Sequence, residues 1–270
     1  MIYFVATPIG NLKDITLRAL ETLEKSDVIC CEDTRTSKPL LDHYDIKKKL
    51  VSFHKFNEEA RIAEIISWAE EGKEISIISD AGMPGISDPG NRLVQACIEK
   101  NIPYTVLPGP TAFSTALVLS GFENTSFKFY GFLPVKGKDR KNILEAISLE
   151  PSTQILYEAP HKLEKTLEDL AAYCPDRKVA VIREISKLYE DVKIFKASEY
   201  KDQDLVYRGE IVIVIDADEI KAKDFSDDEI KAFLEEAKAE GLKNKDAVKA
   251  VSEKYGIKKN RVYDIAVKNI

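Results

Sequence analysis

The sequence predicts an α/β protein: two consecutive α/β domains, residues 1–118 and 119–219, followed by a small helical, helix-turn-helix-like unit over 220–270. Three observations predict it. Over the first 120 residues, short β-branched runs alternate with amphipathic stretches of helical period, which implies mainly parallel strands with helices on the sheet faces. After Gly121 the rhythm loosens into more closely spaced strands, implying a mixed sheet. From about Ile220 the composition turns to Lys, Glu and Ala, which favours helices.

In order along the chain, Ile2 to Ala6 reads as a strand, and Asp14 as the cap of a helix whose Leu17, Leu20 and Leu23 share a face. Val28 to Cys31 and Leu50 to His54 are further strands. Ile62, Ile65, Ile66 and Ala69 give helical spacing between Glu58 and Glu71, with Gly72 at the stop. Glu74 to Ser79 is a strand, Asp88-Pro89 opens a helix, Tyr104 to Leu107 is a strand, and Gly109-Pro110-Thr111 opens the next helix. In the second domain, Phe127–Phe132, Thr153–Tyr157, Val179–Arg183, Val192–Lys196 and Ile211–Ile215 read as strands, with helices over Lys141–Ser148 and Lys162–Tyr173. In the tail, two helical stretches meet at Gly256. Val251, Ile257, Val262 and Ile265 supply their internal contact. Such a unit serves either nucleic-acid contact or protein packing.

Composition excludes several classes. With 44% hydrophobic and 32% charged residues the chain can bury a core. A net charge of −6 excludes binding of nucleic acid by the whole molecular field, so RNA contact requires local basic patches. Residues 241–270 make one such patch, with eight Lys or Arg against three Asp or Glu. The apolar first residues read as a strand and not as a signal peptide, and no run approaches the ~20 apolar residues of a membrane helix. Four cysteines without disulfide or metal spacing indicate a reducing, cytoplasmic setting, and three scattered histidines argue against a metal site.

Candidate chemistry gathers in loops at the carboxyl ends of first-domain strands, where open α/β sheets bind ligands. The first is Thr7 to Asp14, including Pro8, Gly10 and Asn11. It lacks the glycine fingerprint of dinucleotide enzymes and of P-loops. The second, Ser79 to Gly90, holds three glycines and two prolines in twelve residues and is both permissive and stiff. The third, Leu107 to Ala112, presents a helix start. A polar group, Glu32-Asp33-Thr34-Arg35-Thr36 with Ser52-Phe53-His54 and Asn57-Glu58, follows two other strands. Each has a plain alternative as a turn or a helix cap.

Taken together, Val5–Leu12, Glu32–Ser37, Ser52–His54, Ser79–Gly90, Leu107–Thr115 and Tyr157–His161 resemble the ribosomal RNA small subunit methyltransferase I family of the tetrapyrrole methylase superfamily. The resemblance runs from residue 1 to about 215. It implies two domains of the tetrapyrrole methylase type with a cofactor cleft between them, S-adenosylmethionine as cofactor, and 2′-O-methylation of a cytidine in the decoding region of 16S rRNA. It also implies action within the small ribosomal subunit, as a homodimer. The cofactor residues it implies are Asp80, Ala81, Gly82, Met83 and Pro84, then Pro108, Gly109, Pro110 and Thr111, with Tyr157, Glu158, Gly209, Glu210 and Ile211 closing from the second domain. The superfamily's usual first loop, Gly-x-Gly-Pro-Gly-Asp, is replaced here by Thr7-Pro8-Ile9-Gly10-Asn11, which points that loop to a different substrate.

A ribose hydroxyl becomes a competent nucleophile as its proton leaves, so a carboxylate acceptor is expected. Glu32, Asp33, Glu158 and Glu184 are the candidates. RNA contact is expected at His54, and RNA phosphates at Arg35 and Lys38 and at the run Lys136, Lys138, Arg140 and Lys141. Two other functions stay open at this level: a porphyrinoid methylase, and a non-catalytic RNA- or ribosome-binding factor.

Overall fold

A computed structural model describes residues 1–217, 225–239, 241–255, 257 and 259–267. Residues 1–217 form one compact unit and the tail from Asp218 a second. The expected turn at Gly256 and the expected start of the tail near Ile220 lie outside the described residues.

The first sheet contains β1 (Ile2–Val5), β2 (Val28–Cys31), β3 (Lys49–Ser52), β4 (Ile75–Ile78) and β5 (Tyr104–Leu107) in the order β3-β2-β4-β1-β5. All its pairs are parallel. Its three inner strands, β2, β4 and β1, are buried on both faces, which is why they are apolar runs and do not alternate. Cys30 and Cys31 show the two-residue period: Cys30 packs with Ile2, Phe4 and Ile65, and Cys31 on the opposite face with Val5, Leu23 and Leu41. The connecting helices are α1 (Leu17–Lys25), α2 (Thr34–His43), α3 (Glu58–Glu70) and α4 (Asn91–Lys100).

The second sheet contains β6 (Phe127–Phe132), β7 (Thr153–Glu158), β8 (Lys178–Arg183), β9 (Asp191–Lys196) and β10 (Ile211–Ile215) in the order β6-β7-β10-β8-β9. It is mixed, since β6 and β7 are parallel and the other pairs antiparallel. Helix α5 (Ala112–Ser120) lays Ala116 and Leu117 on one face, against Ile155, Ala180, Ile182 and Val214. Helices α6 (Lys138–Leu149) and α7 (Leu163–Tyr173) cover the other. In the tail, α8 (Asp227–Ala239), α9 (Asn244–Tyr255) and α10 (Lys259–Val267) share a core that includes Val251, Ile257, Val262 and Ile265.

Two helix starts differ from expectation and one helix stands where none was expected, each for a local reason. Thr16, not Asp14, caps α1: its hydroxyl accepts from the Ala19 N–H at 3.0 Å, while Asp14 closes a short 3₁₀ turn begun by Asn11. Helix α4 starts at Asn91 and not at Asp88-Pro89, because Gly90 takes a φ of +142° and its N–H is held 3.3 Å from the buried Glu58 carboxylate. Residues Thr34–His43, which carry few apolar positions and an internal Pro39, form a helix behind the Asp33 cap, whose carboxylate accepts from the Arg35 N–H at 2.8 Å.

Candidate active site

Strands β4, β1 and β5 are neighbours, and their loops leave the sheet at one rim. Thr7 and Gly82 exchange both backbone hydrogen bonds, at 2.9 and 3.0 Å, which ties the first loop to the second. The Ser79 hydroxyl braces the turn by donating to the carbonyls of Ala81 and Gly82, each at 3.2 Å. At Gly109 a side chain would stand 2.7 Å from Ala6 Cβ, so glycine is what lets the third loop pass the end of β1.

The second sheet supplies the opposing wall. The end of β7 pairs with the start of β10, Glu158 opposite Ile211 and Tyr157 opposite Val212. This brings residues 157–160 and 209–212 together. Gly209 has a φ of +80°, and a side chain there would run into the Glu184 carboxylate. Glu184 also accepts the Glu210 N–H at 2.8 Å and pairs with Lys187 at 2.9 Å.

Between these walls lies a cavity of about 360 Å³. Of the expected cofactor residues it is lined by Asp80, Ala81, Gly82, Met83, Thr111, Tyr157, Glu158, Gly209, Glu210 and Ile211. Pro84, Pro108, Gly109 and Pro110 do not line it: Pro84 is buried, and Pro110 instead borders a neighbouring cavity with Asp14 and Ser186. Ile86, Ser87, Asp88 and Ala112, which belong to the second and third candidate loops but not to the cofactor residues implied by the resemblance, line it as well, and sequence reasoning missed Phe113, Phe132 and Ile185. Phe113 and Phe132 had a signal, since each stands beside an element end at the expected cleft. Ile185 had none, because only the antiparallel register carries the β8 end to this wall. The rings form a connected side: Phe113 stacks on Phe129 at 5.0 Å, and Tyr157 meets Phe129 and Phe132 edge-on at 4.9 and 5.6 Å.

The polar end is acidic. Burial raises the pKa of Asp80, of Asp88 and of Glu32 above the ordinary carboxylate range. The charges of Asp88, Asp80 and Asp33 push Glu32 further. The backbone N–H of Asp33 donates to Asp80 at 3.1 Å, linking the β2 and β4 loops. Such a crowd of negative charge favours a cationic guest.

The four expected proton acceptors differ sharply. Asp33 is held down to about 2 by its hydrogen bonds with Arg35, so it is a weak base. Glu158 is buried and accepts from the Ala159 N–H at 2.7 Å and the Thr166 hydroxyl at 2.5 Å. Glu184 is lowered by Lys187 and braces the 209–210 turn. Glu158 and Glu184 are thus each engaged by donors of the chain itself. Glu32 is partly buried and its pKa is raised.

The expected RNA residues also divide. Arg35 and Lys38 are exposed, with Lys38 3.3 Å from Asp42. His54 is half-buried, and its N–H donates to the Asn57 side chain at 2.8 Å. Gly10 lies against Ile185 and Lys187, Asn11 caps the 3₁₀ turn, and Pro8 is half-buried beside them. Lys136, Lys138 and Lys141 are exposed. Arg140 corrects the expectation: it is buried, 2.8 Å from Asp169, and donates to the Pro134 carbonyl and the Thr166 hydroxyl, each at 2.9 Å. Its sequence neighbours are solvated because they lie on the outer side of α6. Among the described residues no group of His, Cys, Asp or Glu could hold a metal ion, and no helix is long and apolar enough to cross a membrane.

Two five-stranded sheets with a cleft between their rims define the class. The family model for tetrapyrrole (corrin/porphyrin) methylases matches residues 1–201. The chain also superposes on the crystal structure of a diphthine synthase with a TM-score of 0.65 at 16% identity, over 80% of this chain and 89% of that one, which speaks for the fold alone. It is 41% identical to the ribosomal RNA small subunit methyltransferase I of Haemophilus influenzae over 100% of this chain and 97% of the relative. It is 38% identical to that of Halalkalibacterium halodurans over 98% and 93%. Within the tetrapyrrole methylase class, the chain belongs to the ribosomal RNA small subunit methyltransferase I family. It is a methyltransferase.

Proposed function

We propose that this protein transfers a methyl group from S-adenosylmethionine to the 2′-hydroxyl of a cytidine in the decoding region of 16S rRNA. In this reading it acts in the cytoplasm, as a homodimer, on RNA presented by the small ribosomal subunit. Residues 1–118 carry the substrate and donor loops, the second sheet and its helices up to residue 217 close the donor cleft, and the helices α8, α9 and α10 form a further unit. The observation that carries the reading is the cleft itself, apolar and aromatic on one side and acidic at one end.

The fit to the donor rests on chemistry. A volume of about 360 Å³ lies within the roughly 300–1,000 Å³ of small-molecule sites. A nucleoside suits the ring-lined wall of Phe113, Phe132 and Tyr157, and the carboxylates of Asp80 and Asp88 suit a guest carrying positive charge. When bound, the donor supplies an activated methyl group on a sulfonium leaving group. The protein's residues orient the acceptor and exclude water, and alignment accounts for much of the acceleration. Glu32 takes the ribose proton, because burial raises its pKa while cationic partners lower those of Asp33 and Glu184. Arg35, Lys38, Lys136, Lys138 and Lys141 hold phosphates.

Calorimetry with S-adenosylmethionine tests the cleft, and saturable one-site binding is expected. A non-catalytic RNA-binding factor predicts no heat. Labelled donor with small-subunit RNA or with a corrinoid precursor then separates the rRNA reading from the porphyrinoid one.

A further inference from the structure

We infer that Phe56 is a stacking platform for an unpaired base of the RNA substrate, seated at the rim where Glu32 stands. This contact rests on the RNA methylation reading above. Strands β2 and β3 run parallel with Cys31 opposite Ser52, and the Phe53 N–H donates to the Cys31 carbonyl at 2.8 Å. The loop after β3 therefore leaves the sheet level with Glu32 and Asp33, one strand spacing of about 4.8 Å away. The loop is braced at several points. Phe53 is buried, the Asn57 side chain accepts the His54 N–H at 2.8 Å and donates to the Ser52 carbonyl at 3.1 Å, and the Asn57 N–H donates to the His54 carbonyl at 2.9 Å. From this fixed turn Phe56 projects with 96% of its surface exposed, the largest exposure among the large apolar side chains of the described residues.

A single exposed apolar residue needs no explanation by itself. This one stands on a braced turn that follows β3 as Glu32 follows the paired end of β2, next to the exposed Lys55, and Arg35 and Lys38, in the segment after β2, are exposed too. An aromatic face among cations on a surface is the arrangement that binds single-stranded nucleic acid, with bases stacking on the ring and phosphates meeting the lysines. Recognition by the ring face tolerates any base, so this contact contributes placement and not base identity.

The test compares Phe56→Ala, Phe56→Leu and Phe56→Trp with the wild-type enzyme, using small-subunit RNA as substrate. Stacking predicts a KM for RNA raised about tenfold or more in the Ala and Leu variants, restored in Trp, with donor affinity and melting temperature unchanged. An unaltered KM in Phe56→Ala overturns the contact, as does a Leu variant that performs like wild type, since Leu keeps apolar area without a ring face. A change of sedimentation coefficient in Phe56→Ala also overturns it, by making the ring a protein contact. Absence of methyl transfer to RNA by the wild-type enzyme overturns the proposed function and this contact together.

Discussion

Glu32 and Asp33 are adjacent in sequence and opposite in character. The Arg35 guanidinium and N–H hold Asp33 as a stable anion, while burial and the charges of Asp88, Asp80 and Asp33 make Glu32 reluctant to ionise. If Glu32 accepts the ribose proton, the rate requires its ionised form. Activity should then fall as pH drops through its raised pKa. Replacing Asp88 by Asn removes one negative charge and favours ionisation, so the acid limb of kcat/KM should move to lower pH. A pH profile of the two enzymes measures this, and an unmoved limb would remove Glu32 from the role. Replacing Glu32 by Gln should cost on the order of 10²-fold or more in kcat, the usual yield of general base catalysis. The sequence placed all four carboxylates at strand ends but could not rank them. Their difference lies in partners such as Lys187 and Thr166, which only the folded chain brings near. Arg140 shows the same limit: in a run of cations its burial depends on which side of α6 faces Asp169.

At the scale of elements, the loops were legible because glycine and proline announce turns. The parallel first sheet was legible because strand runs alternate with helical periods. Helix α2 was not, since its polar face and Pro39 weaken the pattern that a helix leaves in sequence. The register that sets Ile185 and Gly209 into the cleft wall is likewise a product of long-range pairing. Two predictions belong here. Gly209→Ala meets the Glu184 carboxylate and a φ that disfavours side chains, so donor affinity should fall about tenfold while the melting temperature shifts little. Calorimetry and thermal unfolding check the pair. Arg140→Ala should do the reverse. It leaves Asp169 and Thr166 short of a buried partner, so stability should fall by about 3 kcal/mol. Denaturant unfolding measures the loss.

For the whole molecule, a net charge of −6 confines RNA binding to patches. Lys136, Lys138 and Lys141 are the exposed members of one patch. Neutralising these three, and leaving Arg140 in place, should lower the slope of log affinity against log salt by about 2 for single-stranded RNA. The measurement that bears most directly on the central claim is the fate of a labelled methyl group. Purified protein, labelled S-adenosylmethionine and small subunits from cells lacking the protein are combined, and ribose methylation is mapped along the 16S rRNA. Label on the 2′-oxygen of one decoding-region cytidine, abolished when Asp88 and Tyr157 are both replaced by Ala, is the result expected of the cleft. Label that survives those replacements, or that never enters the RNA, contradicts it.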